Sequence, residues 1–305
     1  MLLPGAAFAA QTGISAMKTY GLAIVARSMS EATRGSRKGF ANGNSWQYHP
    51  RSDRHSKVAC WAIFFDLMLR DSLLSRHVSA GKVAFGISHR MRDFQHDREK
   101  DLDLVVCKRS QPRSIGAISR FADMVAAYTV VLAPEEKTLL RGLVDIPVTG
   151  VQTALIALEA KAAMTEFGKA RPRLYDELNS SHLTIHGDTD STIAAGFAVV
   201  NAATAFVSPI RNPWKLGSRP TVINSHRQPQ DVAAAVEKVK QLPRRSKTGA
   251  NGFDAQGLAV IRCTNDGEEV TVETKAPAPL AGDALHYDNF IERIETIYAS
   301  RFAGI

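Results

Sequence analysis

Val151-Gln152-Thr153-Ala154-Leu155-Ile156-Ala157-Leu158 runs straight into Glu159-Ala160-Lys161. The first part is almost wholly apolar, as expected of a central strand buried on both faces. Such a strand has no structural use for Glu159 and Lys161. Alternation puts both on the same face, and buried ions are costly unless paired or bound to a metal. One explanation is functional: the carboxylate holds a divalent cation, and the ammonium two residues on steers or activates a water beside a phosphate.

A second carboxylate must come from a neighbouring strand. Asp101-Leu102-Asp103-Leu104-Val105-Val106-Cys107 alternates and ends in β-branched residues, a strand signal that places Asp101 and Asp103 on one face. Asp103 is the candidate. Upstream, Val58, Trp61, Ala62, Phe65, Leu69 and Leu73 recur at helical spacing, and Val83 to Ile87 suits a short strand. Ile115 to Ala127 has a helical pattern, and Pro134-Glu135-Glu136 opens a helix running to Arg141.

Beyond the E-x-K strand, Ala162 to Leu178 reads as helix with a break at Pro172, and Ile193 to Phe206 as another inner strand. Asp231 to Leu242 is an amphipathic helix. Leu258 to Cys263 and Glu269 to Thr274 flank Asn265-Asp266-Gly267, a hairpin signal. His286 to Phe302 closes the chain as a helix. Helices alternate with strands throughout, so the fold class is α/β.

Composition excludes several classes. The chain has 305 residues, 45% hydrophobic and 22% charged, which rules out a disordered protein. No run approaches the ~20 apolar residues of a membrane span. Cys60, Cys107 and Cys263 lie far apart, which gives no zinc ribbon and no disulfide framework and fits a cytoplasmic location. Leu2 to Ala10 is small and apolar without a basic lead, and reads as a strand or helix packing on the body rather than a cleaved signal. No Gly-rich phosphate loop is present, which argues against a nucleotide hydrolase or Rossmann dehydrogenase.

The net charge is +8, and the surplus is concentrated: residues 27–120 hold 18 Lys/Arg against 9 Asp/Glu. A basic region on a neutral body suits a polyanion. Arg34 to Lys38, Arg51 to Lys57, and the pair Arg90 and Arg92 look like loop clusters within it.

Asp103 at the head of Leu104-Val105-Val106, then Leu158-Glu159-Ala160-Lys161 on an apolar strand, then a helix, resemble the PD-(D/E)xK nucleases, the restriction-endonuclease-like phosphodiesterases. The likeness covers roughly residues 56–206. It implies a restriction-endonuclease-like core, a central mixed sheet flanked by helices, over residues 56–210. An N-terminal arm over 1–55 and a helix-hairpin-helix extension over 211–305 complete the chain.

In that family Asp103 and Glu159 would ligate Mg²⁺, with Mn²⁺ able to replace it, together with the Ala160 carbonyl. Lys161 would orient the attacking water or stabilise charge on the phosphate. The helix from Ser56 would be the core helix, with Asp66 as an auxiliary acid. The implied activity is endonucleolytic hydrolysis of double-stranded DNA by a homo-oligomer. The Asp-x-Val-Val strand, a later Ile-Pro and the strand ending in Glu-Ala-Lys resemble bacterial anti-phage defence endonucleases, so restriction or defence is the expected setting. The alternative is a non-catalytic DNA-binding protein with a nuclease-like fold.

The match departs from the family twice. Leu102 stands where the family carries Pro. The 56 residues from Asp103 to Glu159 require an inserted helical segment between strands that should be neighbours. Asp145, 14 residues before Glu159, is the rival first acid.

Other candidates have plainer readings. Glu273-Thr274-Lys275, with Asp254 upstream, is a second E-x-K on a half-exposed strand, where alternating charges need no special cause. His182, His186, Asp188 and Asp190 could ligate a metal for a different phosphoesterase, but Leu183-Thr184-Ile185 reads as a strand within a polar loop. Lys169, Arg171 and Arg173 could meet phosphates or face solvent, and so could the basic loop Arg244-Arg245-Ser246-Lys247.

Overall fold

The apolar run forms an inner strand in a computed structural model that describes residues 18–34, 42–70, 73–94 and 96–305. Helices α1 (Gly21–Ser30), α2 (Arg54–Leu69) and α3 (Leu73–Ser79) precede a hairpin of β1 (Val83–Asp93) and β2 (Arg98–Lys108). Then come α4 (Asp123–Ala127), α5 (Pro134–Gly142), β3 (Ala154–Ala163), α6 (Phe167–Asp188) and β4 (Ile193–Asn201). The chain closes with β5 (Ala205–Val207), β6 (Ile223–Ser225), α7 (Gln230–Lys240), β7 (Ala255–Arg262), β8 (Thr271–Glu273) and α8 (Tyr287–Arg301). The reading of Leu2 to Ala10 and most of the Arg34 to Lys38 cluster lie outside the described residues.

Among the described residues, six strands form one mixed sheet in the order β1-β2-β3-β4-β7-β8. β2 runs antiparallel to both β1 and β3, β3, β4 and β7 are parallel, and β8 returns antiparallel on β7. The segment 211–305, set apart from the sequence as an extension, contributes β7 and β8 to this same sheet. α6 is the crossover that parallel β3 and β4 require.

Both faces are covered. α1, α2 and α8 pack on one side around Trp61, Phe64, Phe65 and Phe290, and α6 and α7 pack on the other around Leu174, Leu178 and Val236. β3 and β4 are accordingly apolar along nearly their whole length. No helix among the described residues is long and apolar enough to cross a membrane. Cys60, Cys107 and Cys263 are buried and unbonded to one another, as small core residues.

Three local expectations change. β3 does not stop at Leu158 but continues to Ala163, so Glu159 and Lys161 lie within the strand. Residues 115–122 are not helical: Gly116 takes a left-handed φ of 61° and Ile115 bridges back to Ile118. α6 runs unbroken for 22 residues through Pro172, its sixth residue, whose missing N–H forfeits one main-chain hydrogen bond.

Candidate active site

β2 and β3 pair from Cys107 opposite Ala154 to Leu104 opposite Leu158, and there the ladder ends. The β1–β2 hairpin continues without β3, as far as Asp93 opposite Arg98. Asp103 sits at this fork. Its Oδ2 accepts the N–H of Ala160 at 3.2 Å, and its Oδ1 accepts the hydroxyl of Ser56 at 2.9 Å. A side-chain carboxylate thus takes the first β3 donor left free where the strands part.

Strand alternation breaks at the same point. Leu104 packs on the α2 side, whereas Leu102 packs on the α6 side. Across the hairpin Ser88 adopts a left-handed φ of 46°, the local twist that accompanies the switch. Asp101 and Asp103 therefore do not act as a same-face pair. Asp101 is exposed and held by Arg90 at 2.8 Å, while Asp103 lies under Ser56.

Glu159 is next along. Its side chain is 0% exposed. Lys161 Nζ lies 2.7 Å from Oε1, and Lys100 Nζ lies 3.6 Å from the same atom. Yet neither carboxylate oxygen has a well-directed hydrogen bond from any described residue. The contacts are charge pairs that leave the oxygens' lone pairs open. A fully buried carboxylate met only by two ammonium groups keeps lone pairs open to a further ligand.

The electrostatics form one coupled unit. Burial, and then the neighbouring charge of Glu159, push Asp103 up to about 7. Burial by itself would lower the Lys161 pKa, but Glu159 and Asp103 outweigh it and hold the ammonium above its ordinary value. Burial lowers Lys100, against the pull of Glu159.

A cleft of about 960 Å³ opens at the fork, lined by Asp103, Lys161, Ser56, His55, Lys57 and Glu177 among others. Glu159 lies just behind this wall, with Lys161, its side chain 24% exposed, as its cover. Burial drives His55 down to about 4, so a neutral imidazole faces the cleft. Sequence reasoning missed Ser56, Lys100 and His55. The position of Ser56 at the start of the predicted helix was visible, but nothing in the chain's spacing aimed it at Asp103.

A cation could be gripped here by Asp103 and Glu159. Among the described residues no group of three or more His, Cys, Asp or Glu is arranged to hold a metal. Two carboxylates suit Mg²⁺, which keeps water and substrate oxygens as its other ligands, and do not suit a closed zinc site.

The remaining candidates fall elsewhere. Asp145 is exposed and paired with Arg120, so the structure brings Asp103 and not Asp145 to Glu159. The inserted segment between the strands holds α4 and α5 and leaves β2 and β3 adjacent. Asp66 does not reach the cleft. It accepts the N–H groups of Tyr20 and Gly21 and the hydroxyl of Tyr287, capping α1 from below. Glu273 pairs with Arg262 across the β7–β8 hairpin. Asp254 is buried between Arg245 and Arg301, so Arg245 belongs to the core and not to a basic loop.

His182 and His186 lie one turn apart on α6, not in a loop or strand. His182 Nε2 meets Asn179, His186 Nε2 meets the Gly252 carbonyl, and Asp190 is held by Arg245. Arg173 pairs with Glu177 beside the cleft. Comparisons with protein-family models, curated proteins and solved structures give no match to this chain.

Proposed function

We propose that this protein is a Mg²⁺-dependent endonuclease that hydrolyses phosphodiester bonds of double-stranded DNA, in restriction or anti-phage defence. One observation carries the reading. Glu159 is fully buried, paired with Lys161 at 2.7 Å and beside a second carboxylate on an adjoining strand. The resemblance of Asp103, Glu159 and Lys161 to the PD-(D/E)xK nucleases supports it, as does the cleft at the end of the β2–β3 ladder.

Asp103 and Glu159 would hold the cation, which when bound supplies Lewis acidity at the scissile phosphate. Ser56 and the Ala160 N–H fix the Asp103 carboxylate in one orientation. Lys161 now covers Glu159. Lys161 lines the same cleft, and its ammonium would donate to a non-bridging phosphate oxygen or orient the attacking water. The protein forms no covalent link to the substrate on this route. Cutting both strands of a duplex calls for two copies of the site, so the active form is a homo-oligomer.

The test is nicking and linearisation of supercoiled plasmid in Mg²⁺ or Mn²⁺. Glu159→Gln and Lys161→Ala should each lower the rate at least about 100-fold, and Asp145→Asn should leave it unchanged. Binding of DNA without cleavage in any divalent ion would favour the non-catalytic alternative.

A further inference from the structure

The chain's surplus charge lies in residues 27–120, but the clusters that stand out there are largely occupied. Arg54 donates to the carbonyls of Ser28, Glu31, Tyr128 and Thr129, and Lys57 pairs with Asp53 at 2.7 Å. Arg90 holds Asp101, and Arg92 holds Asp97 at 2.5 Å. Charges matched in this way give little field to a polyanion.

Among the described residues a different set of cations has no close acid partner. The Asp103 cleft and a second hollow of about 440 Å³ share Thr165, Glu166 and Lys169. That hollow adds Arg211, His226 and Arg227, and a further one continues from Arg227 to Arg171. Among the described residues the Lys169 side chain makes no hydrogen bond or ion pair, and only its main-chain N–H bonds, to the Glu166 carbonyl at 2.8 Å. Arg211 meets only the amide oxygen of Asn224, at 3.2 Å, and Arg171 only the Phe167 carbonyl. Arg227 is 86% exposed and forms only a long surface ion pair with Asp231, at 3.6 Å. The acids present are exposed Glu166 and Asp231, whose carboxylate already accepts the Arg227 N–H at 2.9 Å.

We propose that Lys169, Arg211 and Arg227 form a phosphate track that carries the duplex DNA backbone away from the Asp103–Glu159 cleft, across the start of α6 toward the β5–β6 ribbon. The ligand class rests on the nuclease reading. The path rests on the continuous groove and on which cations lack a close acid partner. Cations from three separate segments lining one groove offer several contacts to a polyanion, where a single small anion would need only one. The exposed cluster Lys108, Arg109 and Arg113, at the opposite end of β2, is the competing surface.

The experiment titrates a fluorescent DNA duplex with the full-length protein in EDTA, over a range of salt concentrations. The variants are Arg227→Ala, the triple Lys169→Ala/Arg211→Ala/Arg227→Ala, and the control triple Lys108→Ala/Arg109→Ala/Arg113→Ala. Unchanged circular dichroism checks the fold, and the highly exposed Arg227→Ala stands in should the triple not fold. The track triple should lose about 10-fold or more in affinity, with the salt slope falling by about 2–3, and Arg227→Ala should lower the slope by about 1. The control should bind as the wild type does.

Wild-type-like binding by the track variants, loss confined to the control, or no salt-dependent DNA binding by the wild type would each overturn the track. Loss of binding in the track variants, without cleavage by the wild type in any divalent ion, would keep the track and reject the nuclease. Normal cleavage with unaltered binding would do the reverse.

Discussion

Asp103 replaces a main-chain acceptor for Ala160: the Asp103 carboxylate takes the Ala160 N–H at 3.2 Å, where the β2–β3 ladder has just ended. Continuing the ladder one step past Leu104 and Leu158 would set Asp103 opposite Glu159. The contact therefore brings an acid from one strand to the residue next to the acid of the other. It also fixes the Asp103 carboxylate while leaving it beside the cleft.

The first prediction concerns the other bond to that carboxylate. Ser56→Ala removes the hydroxyl that meets Asp103 Oδ1 at 2.9 Å. The loss should cost about 1 kcal/mol of stability. On the proposed function it should lower Mg²⁺ affinity or plasmid cleavage by about 10-fold, because partners of metal-holding carboxylates tune them. Urea unfolding and a Mg²⁺ titration of cleavage read the two effects separately. An unchanged cleavage rate would show that Ser56 does not position the acid.

The second concerns an asymmetry in the Glu159–Lys161 pair. Glu159 has no solvent to turn to, whereas the Lys161 side chain is 24% exposed. Lys161→Met strands a buried carboxylate with only Lys100 nearby, at 3.6 Å. It should destabilise the protein by about 3 kcal/mol, and Glu159→Gln by less, because Lys161 can swing into water. Adding Mg²⁺ should raise the melting temperature of Lys161→Met more than that of Glu159→Gln. Equal shifts would mean that the cation does not use Glu159.

The third separates a structural arginine from a DNA-binding one. Arg245 is fully buried and meets Asp254 at 2.9 Å and Asp190 at 3.0 Å, as well as the Thr192 carbonyl. Arg245→Ala should destabilise the fold by about 3–5 kcal/mol. At a temperature where the variant is still folded, its DNA affinity should match the wild type. A selective loss of DNA binding with normal stability would contradict this placement.

The fourth is a pH dependence. Burial, and then the charges of His186 and Arg245, lower His182 to about 4, against 6.5 for a free imidazole. The folded protein therefore resists taking up a proton that the unfolded chain binds below about pH 6.5. The stability contributed by neutral His182 is complete above that pH and is lost as the pH falls through the folded value. The loss is on the order of 3 kcal/mol at most. Guanidinium midpoints measured from pH 7 to pH 4 should fall more steeply for the wild type than for His182→Gln. Parallel curves would indicate that His182 titrates normally.

The misreading of His182 and His186 shows where local pattern loses its grip. Leu183-Thr184-Ile185 is short and β-rich, and nothing nearby reveals that it is the last part of a 22-residue helix. What holds it helical is packing: Leu174, Leu178 and Ile185 are buried against the sheet. Tertiary burial overrode a weak propensity. Charge is a second property that needs the fold. Composition counts cations, but only the fold shows that Arg90, Arg92 and Lys57 form ion pairs and that the Lys169 side chain forms none among the described residues.

By itself, the sequence determined that a buried strand ends its apolar run in an acid and an amine, that the protein is of the α/β class, and that β7 and β8 form a hairpin. Each of these is a contrast between near neighbours in the chain, where side-chain periodicity and solvation cost act directly. The tertiary structure alone decided that Asp103 and not Asp145 joins Glu159, that Asp66 and Arg245 support the fold, and which cations lack a close acid partner. Those outcomes depend on strand register and helix packing across dozens of residues, and free energy of that kind is realised only when the distant segments meet.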